Sequence, residues 1–330
     1  MSEDLSLNVT SASLSNISVP TDVAYNHYGN RMATVSSEGI VVWGKGGAEE
    51  WTYTSLIQVP DGHRCLKLAW AHPEFGSVLA AGIQQLAGGS SVHIWQERDF
   101  PGSPDESSWQ LRARFDEACG PVVDLRFSPA DKGLWLVAAG GDGAIRLYSC
   151  LGTLELETWQ MQSAFQVQHQ AAPTCVQWRL SDHHQPLLAV ATHPSPHVTK
   201  AQAGVHLWLY EEAFLKWSMA GSLLDTQCVD WIAWAPMSTP MGDLLAATSG
   251  LEVVLSSIRV SRGVDSSSVP AAHIKEEARL VHTSKVVQAE WNMSATTLAT
   301  SCENGAVCLW SQNLESGEWL RVATVNDGNA

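Results

Sequence analysis

Two glycine-containing segments have the residue types from which nucleotide sites are built. Residues Gly39 to Gly46 nearly match a phosphate-binding loop, but Gly46 stands where a serine or threonine would bind magnesium. The residues between the glycines also read as a β-strand. The run Gly140 to Gly143 is followed by no helix, so it predicts a hairpin turn rather than a dinucleotide-binding loop. The sequence therefore predicts no nucleotide cofactor.

The histidines and cysteines are the candidate metal ligands. His183, His184, His193 and His197 lie in Pro- and Ser-rich stretches, fit no zinc-finger spacing and have no cysteine beside them, which favours solvated loops. Seven cysteines, odd in number and without a C-x-x-C pair, indicate neither a disulfide framework nor a zinc site. They are Cys65, Cys119, Cys150, Cys175, Cys228, Cys302 and Cys308. No hydrolase or metalloprotease motif occurs, and we expect neither an enzyme nor a metal or other cofactor.

The net charge of the chain disfavours some classes of binding partner. Asp and Glu number 34 against 19 Lys and Arg, a net charge of −15, which repels phosphate backbones and anionic lipid headgroups. No apolar stretch approaches the roughly 18 residues of a membrane span, and the start of the chain, residues 1–4, is acidic where a signal peptide is basic. We expect no direct nucleic-acid binding, no membrane insertion and a location inside the cell.

One pattern recurs six times along the chain: an alternating strand ending in an aromatic residue, a small-residue strand containing Leu/Met-Ala, a tight turn, and a strand with a closing aromatic. The predicted closing residues are Trp43, Trp95, Tyr148, Trp208, Leu255 and Trp310, so the fifth repeat has lost its aromatic. Hairpin turns are predicted at Asp142-Gly143 and Asn304-Gly305. The repeats are longer than the roughly 40–45 residues of standard WD repeats, and the surplus falls in turn-rich loops.

These repeats predict an all-β fold, a six-bladed WD-repeat β-propeller, because stacking four-stranded sheets radially buries both apolar faces of each sheet. A β-sandwich does not explain a sixfold period, and the period-two alternation excludes a helical repeat. We expect an N-terminal arm over residues 1–21, one propeller over residues 22–325 and a tail over residues 326–330.

The number of strands in the first and last repeats predicts how the ring closes. The first repeat has its own outer strand at residues 50–58, and the last has its own at residues 318–325. No exchanged strand then ties the last blade to the first, so the ring is expected to be open. Val41, Trp43, Val307 and Trp310 are the predicted partner-binding residues there, although parity does not say which face each occupies.

A structural hydrogen-bond network is predicted in the last repeat. His63 and His282 stand just before the first strand of the second and sixth repeats, where WD repeats commonly place a histidine that bonds toward the Trp-bearing strand. Ser301 and Trp310 are the expected partners of His282. This chemistry is structural rather than catalytic.

Several segments resemble one known family over most of the chain. Trp70 to Gly76, which contains His72 and Pro73, is similar to a segment shared by the Seh-type nucleoporins and a cousin that serves both the nuclear pore and the COPII coat. Residues 29–34, 133–136 and 154–162 lean toward the Seh-type side. The departures are the missing Trp-Asp dipeptides, the lost aromatic of the fifth repeat and the strong acidity.

The resemblance implies an open, six-bladed propeller completed by a β-blade that an α-solenoid partner donates, through an edge-pairing mode of recognition. It implies a scaffold role in the outer-ring Y-complex of the nuclear pore, contacts with other Y-complex subunits, and support of protein and mRNA transport at the nuclear envelope. It also leaves open a subunit of a COPII-like vesicle coat, or of a TOR-pathway coat at lysosomal or vacuolar membranes. From a different class, a peptide-binding WD-repeat adaptor predicts an aromatic or acidic cage at the mouth of the central channel.

Overall fold

The computed structural model describes residues 21–325 except residues 37–38, 47–49, 61, 87, 99–108, 119, 153–155, 168–170, 181–184, 195–202, 237–241, 262–270 and 314. The predicted N-terminal arm and C-terminal tail lie outside the described residues but for Thr21. His183, His184, His197 and Cys119 lie outside them as well. The proposed domain bounds stay a prediction.

The described chain forms six antiparallel four-stranded sheets arranged as the blades of a propeller, which confirms the predicted fold. Blade 1 contains β1 (Val23–Tyr25), β2 (Arg31–Ser36), β3 (Gly39–Lys45) and β4 (Trp51–Gln58). Blade 2 contains β5 (His63–Trp70), β6 (Val78–Gln85), β7 (Ser90–Glu97) and β8 (Trp109–Ala118). Blade 3 contains β9 (Val122–Phe127), β10 (Trp135–Gly140), β11 (Ala144–Cys150) and β12 (Trp159–Gln166). Blade 4 contains β13 (Ala172–Trp178), β14 (Leu187–His193), β15 (Gly204–Glu211) and β16 (Lys216–Leu223). Blade 5 contains β17 (Trp231–Trp234), β18 (Asp243–Ser249), β19 (Glu252–Ser261) and β20 (Ala271–Val281). Blade 6 contains β21 (Val286–Trp291), β22 (Thr297–Cys302), β23 (Val307–Gln312) and β24 (Trp319–Val325). Short 3-10 helices span Pro73–Phe75 and Ala130–Lys132.

Each blade is built from four consecutive strands, with the first strand innermost. Blades 1 and 6 hold β4 and β24 as their own outer strands, as the strand accounting predicted. The phosphate-loop lookalike forms β3. Both predicted hairpin turns are present: Gly143 and Gly305 adopt positive φ angles of 82° and 80°, which glycine adopts without steric cost.

Five apolar clusters join the six blades at successive seams. Ile40 and Leu79 belong to the seam between blades 1 and 2, and Leu125 to the next. Val137 marks the seam between blades 3 and 4, and Ile232 the one between blades 4 and 5. The fifth cluster joins blades 5 and 6. Inner strands pack against each other in the same order, from β1 with β5 to β17 with β21, and no comparable packing joins β21 to β1 among the described residues.

The closing aromatics fill these seams by packing against the preceding blade. Each closing aromatic is paired with the small-residue strand on one side. On the other side it lies at a register shift in the pairing with the outer strand. These residues are Trp95, Tyr148, Trp208 and Trp310. In blade 5 this position belongs to Ser256, which pairs with Leu245 at the same kind of shift. Assigning it to Leu255 was wrong by one residue, and Leu255 faces the following blade because side chains alternate along a strand.

Candidate protein-binding site

The face of blade 6 that points away from blade 5 is only half-buried. Along β22 and β23, Leu298, Cys308 and Trp310 are buried in the cluster with blade 5. The alternating residues Ala299, Ser301, Val307 and Leu309 are of intermediate exposure. We call these four residues the blade-6 face. In contrast, every residue of β14 from Leu187 to Thr192 is buried, because blade 4 has neighbours on both sides.

The face of blade 1 that points away from blade 2 carries a row of aromatic side chains. Tyr25, Met32, Trp43 and Tyr53 are paired in register across β1 to β4, and Val41 lies on the same side. We call these five residues the blade-1 face. Tyr25 and Tyr53 are 57% and 61% exposed, and the Trp43 and Tyr53 rings meet edge to face with centroids 6.4 Å apart. Met32 and Trp43 are buried, at 4% and 8% exposure, so the exposed part of this face is mainly its two tyrosines, a residue type enriched at protein interfaces.

The structure places the four predicted partner-binding residues in three environments. Val41 and Trp43 lie on the blade-1 face and Val307 lies on the blade-6 face. Trp310 does not belong with them: its ring is buried in the cluster shared with blade 5. Strand alternation is the reason, because Val307 and Trp310 are three residues apart and therefore point to opposite faces of the sheet.

Trp310 instead belongs to a buried hydrogen-bond network. Its indole nitrogen donates to Thr300 Oγ1 at 3.1 Å and lies 3.2 Å from His282 Nε2, which is 2.8 Å from the same hydroxyl. The hydroxyl comes from Thr300, so the expectation of Ser301 was wrong: Ser301 is the next residue and points to the blade-6 face. Burial lowers the pKa of His282, which favours the neutral imidazole here. Blade 1 repeats part of this arrangement, since Trp43 Nε1 donates to Thr34 Oγ1 at 3.0 Å.

The segment Trp70 to Gly76 anchors blade 2 to blade 1. Trp70 ends β5, and its indole nitrogen donates across the seam to the Ala24 carbonyl at 3.1 Å. His72 caps the short helix by accepting from the Glu74 backbone nitrogen through Nδ1, and Pro73 occupies the first helical position. Gly76 ends the helix at a φ of 80°. The motif therefore fixes a corner of the seam between blades 1 and 2.

Two aspartates that the sequence analysis did not single out bond neighbouring blades at the inner strands. Asp22 accepts from the Leu68 backbone nitrogen at 2.8 Å, and Asp124 accepts from the Val176 backbone nitrogen at 2.9 Å. Each aspartate lies three residues before the aromatic residue that ends an inner strand. The aligned repeats therefore contained a sequence signal for both aspartates. Desolvation of the half-buried Asp22 carboxyl raises its pKa despite the nearby Lys67.

The histidines and cysteines of the described residues were the candidates for metal or thiol chemistry. They contain no group of three His, Cys, Asp or Glu side chains that could hold a metal ion. Of the predicted histidine cluster, His193 is described, and its Nε2 lies 3.1 Å from Asp230 Oδ1. Burial raises the pKa of the Cys65 thiol to about 12 and that of Cys175 further, so both are protonated packing residues. Within the same part of the chain, no helix has the length and apolarity needed to cross a bilayer.

The fold and these two faces define a class: a six-bladed WD-type β-propeller with half-buried faces on its first and last blades. Comparison with known proteins gives the family. The chain is 30% identical over 306 residues to nucleoporin SEH1 of Bos taurus, covering 88% of this chain and 81% of that protein. It is 30% identical over 304 residues to nucleoporin SEH1 of Danio rerio, and 29% identical over 306 residues to the Homo sapiens protein. The chain therefore belongs to the SEH1 family of nucleoporins.

The chain was also compared with protein-family models and with solved structures. No protein-family model matches the chain. Among solved structures, the Saccharomyces cerevisiae protein Sqt1 is similar with a TM-score of 0.58 at 16% identity, covering 90% of this chain and 71% of that one. This second likeness supports the fold alone.

Proposed function

We propose that this chain is a non-enzymatic scaffold subunit of the outer-ring Y-complex of the nuclear pore, where an α-solenoid nucleoporin donates a β-blade between blades 6 and 1. In that position it supports the transport of protein and mRNA through the pore. Membership of the SEH1 family supports the nucleoporin role. The observation that carries the binding mode is the pair of half-buried faces on the terminal blades.

The geometry favours packing of faces as the main source of affinity. Blades stack through their faces, as Ile40 and Leu79 do at the first seam. A donated blade would bury Val41 and Tyr53 on one side and Val307 and Leu309 on the other. Removal of apolar surface from water contributes ~25 cal/mol per Å². Edge pairing, the mode that the resemblance implied, would add contacts only where a donated strand reached the rim of a sheet.

A substitution on the blade-6 face tests this mode. Leu309→Asp places a carboxylate on the face that the partner would cover, and burying an unpaired charge is costly. Tagged wild-type chain should retain an α-solenoid nucleoporin from cell extract, and Leu309→Asp should lose it. Leu111→Asp, on the 47%-exposed Leu111 of β8 in blade 2, is the matched control and should retain it. Equal retention by both variants would contradict the proposed binding face.

The same pull-down separates the pore from the coats. Mass spectrometry of the retained proteins should find Y-complex subunits as the dominant partners. Tagged protein in cells should mark the nuclear rim. A COPII-type solenoid with location at endoplasmic-reticulum exit sites, or a TOR-pathway coat at lysosomal or vacuolar membranes, would reassign the chain to that assembly.

A further inference from the structure

The hairpin that joins β15 to β16 in blade 4 carries two exposed apolar side chains at its tip. Phe214 and Leu215 are 60% and 74% exposed, and they follow each other in the turn between Glu211 and Lys216. We call residues 211–216 the blade-4 finger. A single exposed apolar residue is ordinary on a protein surface, whereas an aromatic ring beside a leucine makes a continuous apolar contact element.

The base of the finger is anchored by packed aromatic rings. Trp217, the residue after the finger, is buried, and its ring centroid lies 5.3 Å from that of Tyr210 and 5.9 Å from that of Trp178. The Tyr210 ring in turn lies 5.4 Å from the ring of Trp135 in blade 3. Because such a cluster is close-packed, the propeller presents the exposed tip from a fixed position.

The backbone of the tip is strained at Leu215. This residue has a φ of 51°, a left-handed conformation that glycine and asparagine tolerate better than leucine does. Backbone strain of this kind is typical of functional sites. Folding alone would therefore favour another residue here, and a leucine suits a role in contact with a partner.

The charges of the finger indicate what kind of partner it fits. The Lys216 ammonium lies 3.8 Å from a Glu211 carboxylate oxygen and 5.4 Å from the centroid of the Phe214 ring, so it is already engaged. Glu212 is exposed and forms no ion pair among the described residues. In a chain with a net charge of −15, this carboxylate favours a basic partner and disfavours an anionic lipid surface.

The finger lies apart from the gap between blades 6 and 1. Blades 5 and 6 separate blade 4 from the gap in one direction around the ring, and blades 1 to 3 separate it in the other. A protein on the finger and a donated blade could therefore bind at the same time.

We infer that the blade-4 finger inserts into an apolar pocket of a second protein, with Phe214 and Leu215 inside the pocket and Glu212 paired with a lysine or arginine at its rim. Apolar anchors that fill a pocket dominate the affinity of many protein interfaces, and a complementary charge at the rim directs the partner. The inference does not rest on the proposed function, because it uses no residue of the blade-1 or blade-6 face.

Site-specific photo-crosslinking of the full chain in cells tests this docking. Ala213→p-benzoylphenylalanine places the photoreactive group beside Phe214 and Leu215 and leaves both in place. Mass spectrometry should find one dominant protein product, attached at an apolar site that has a lysine or arginine at its border. The same group at the exposed Leu86, at a hairpin of blade 2, is the matched control and should not give this product. Attachment to lipid, no product, or the same product from both positions would overturn the inference.

Two further substitutions in the photoreactive chain test the roles of Leu215 and Glu212. Leu215→Asn should lower the yield of the product at least about tenfold. Its melting temperature should stay equal or rise, because asparagine tolerates the positive φ, so misfolding would not explain the loss. Glu212→Lys should also lower the yield, and replacing the mapped basic residue of the partner by glutamate should restore it. An unchanged yield with Leu215→Asn, or no restoration, would overturn the inference.

Leu309→Asp separates this inference from the proposed function. This variant should lose the solenoid nucleoporin and still form the crosslinked product at the finger. Loss of the product would show that the finger is not an independent site. Retention of both the product and the solenoid would contradict the proposed blade donation alone.

Discussion

At the scale of residues, the tryptophans have two separate structural roles. Those at the ends of inner strands bond neighbouring blades through their indole N–H groups, as Trp291 does with the Ala233 carbonyl at 3.1 Å. Those at the closing positions fill a seam with the preceding blade, as Trp208 does. Each repeat therefore uses two aromatic positions. The one at the end of the inner strand bonds neighbouring blades near the axis of the ring, and the closing one fills the seam between two blades.

Trp310 and Trp319 make a pair that tests these assignments. Trp310→Ala removes a buried ring and leaves Thr300 and His282 without their indole donor, so it should cost ~3–5 kcal/mol. Trp319 is half-buried and packs on Trp291 with ring centroids 5.5 Å apart, so Trp319→Ala should cost less. Thermal unfolding of the two variants measures the difference. Equal melting shifts would show that the seam does not depend on Trp310.

Stability should also depend on pH through buried histidines. Burial, with Arg114 nearby, lowers the pKa of His93 from 6.5 to about 4. The unfolded chain then binds a proton more readily than the folded chain, so His93 makes stability fall as pH drops from about 6.5 to 4. His93→Gln should flatten this part of the stability profile in denaturant titrations. A profile unchanged by His93→Gln would contradict this role.

At the scale of elements, the strands and hairpins were largely predictable from sequence, because alternation and turn residues act locally. The fifth blade shows the limit. Val253, Val254 and Leu255 are all apolar, so nothing local fixes which of them faces blade 6, and the register shift at Ser256 depends on pairing with the distant β20. The hydroxyl of Thr300 was missed for the same reason: Thr300 and Ser301 differ little in type, and only the face of the sheet distinguishes them.

Glycine substitutions test the hairpin of blade 1. Gly39 has a φ of 142°, and a Cβ there would lie 2.4 Å from the Ile57 carbonyl oxygen. Gly29 also has a positive φ, 64°, but a Cβ would meet nothing within 4 Å. Gly29→Ala should therefore cost only the local backbone strain, about 1 kcal/mol. Gly39→Ala should cost a further ~1–3 kcal/mol, because the backbone of β3 or β4 must shift.

Chemical denaturation of both glycine variants against the wild-type chain measures these costs. A larger loss for Gly29→Ala would contradict the close approach of β3 and β4 at Gly39. A similar small loss in both would show that the outer hairpin adjusts freely.

At the scale of the whole molecule, the described residues form five apolar seams between six blades, and the proposed partner binding depends on the missing sixth. The prediction of an open ring needed only the number and order of the strands. The faces themselves were beyond that reasoning. Val41, Trp43, Val307 and Trp310 all looked equivalent in the sequence, and only the clusters formed with blades 2 and 5 show that Trp310 faces inward.

A ring with half-buried terminal faces should gain stability from its partner, because a ligand that binds the native state alone stabilises it by mass action. The most direct measurement is the melting temperature of the chain alone, with its copurified solenoid partner, and with that partner lacking its β-rich segment. We predict a low melting temperature for the chain alone, a rise of several degrees with the complete partner, and no rise when the segment is deleted. A chain that is monomeric and highly stable alone, with a melting temperature that the complete partner leaves unchanged, would contradict it.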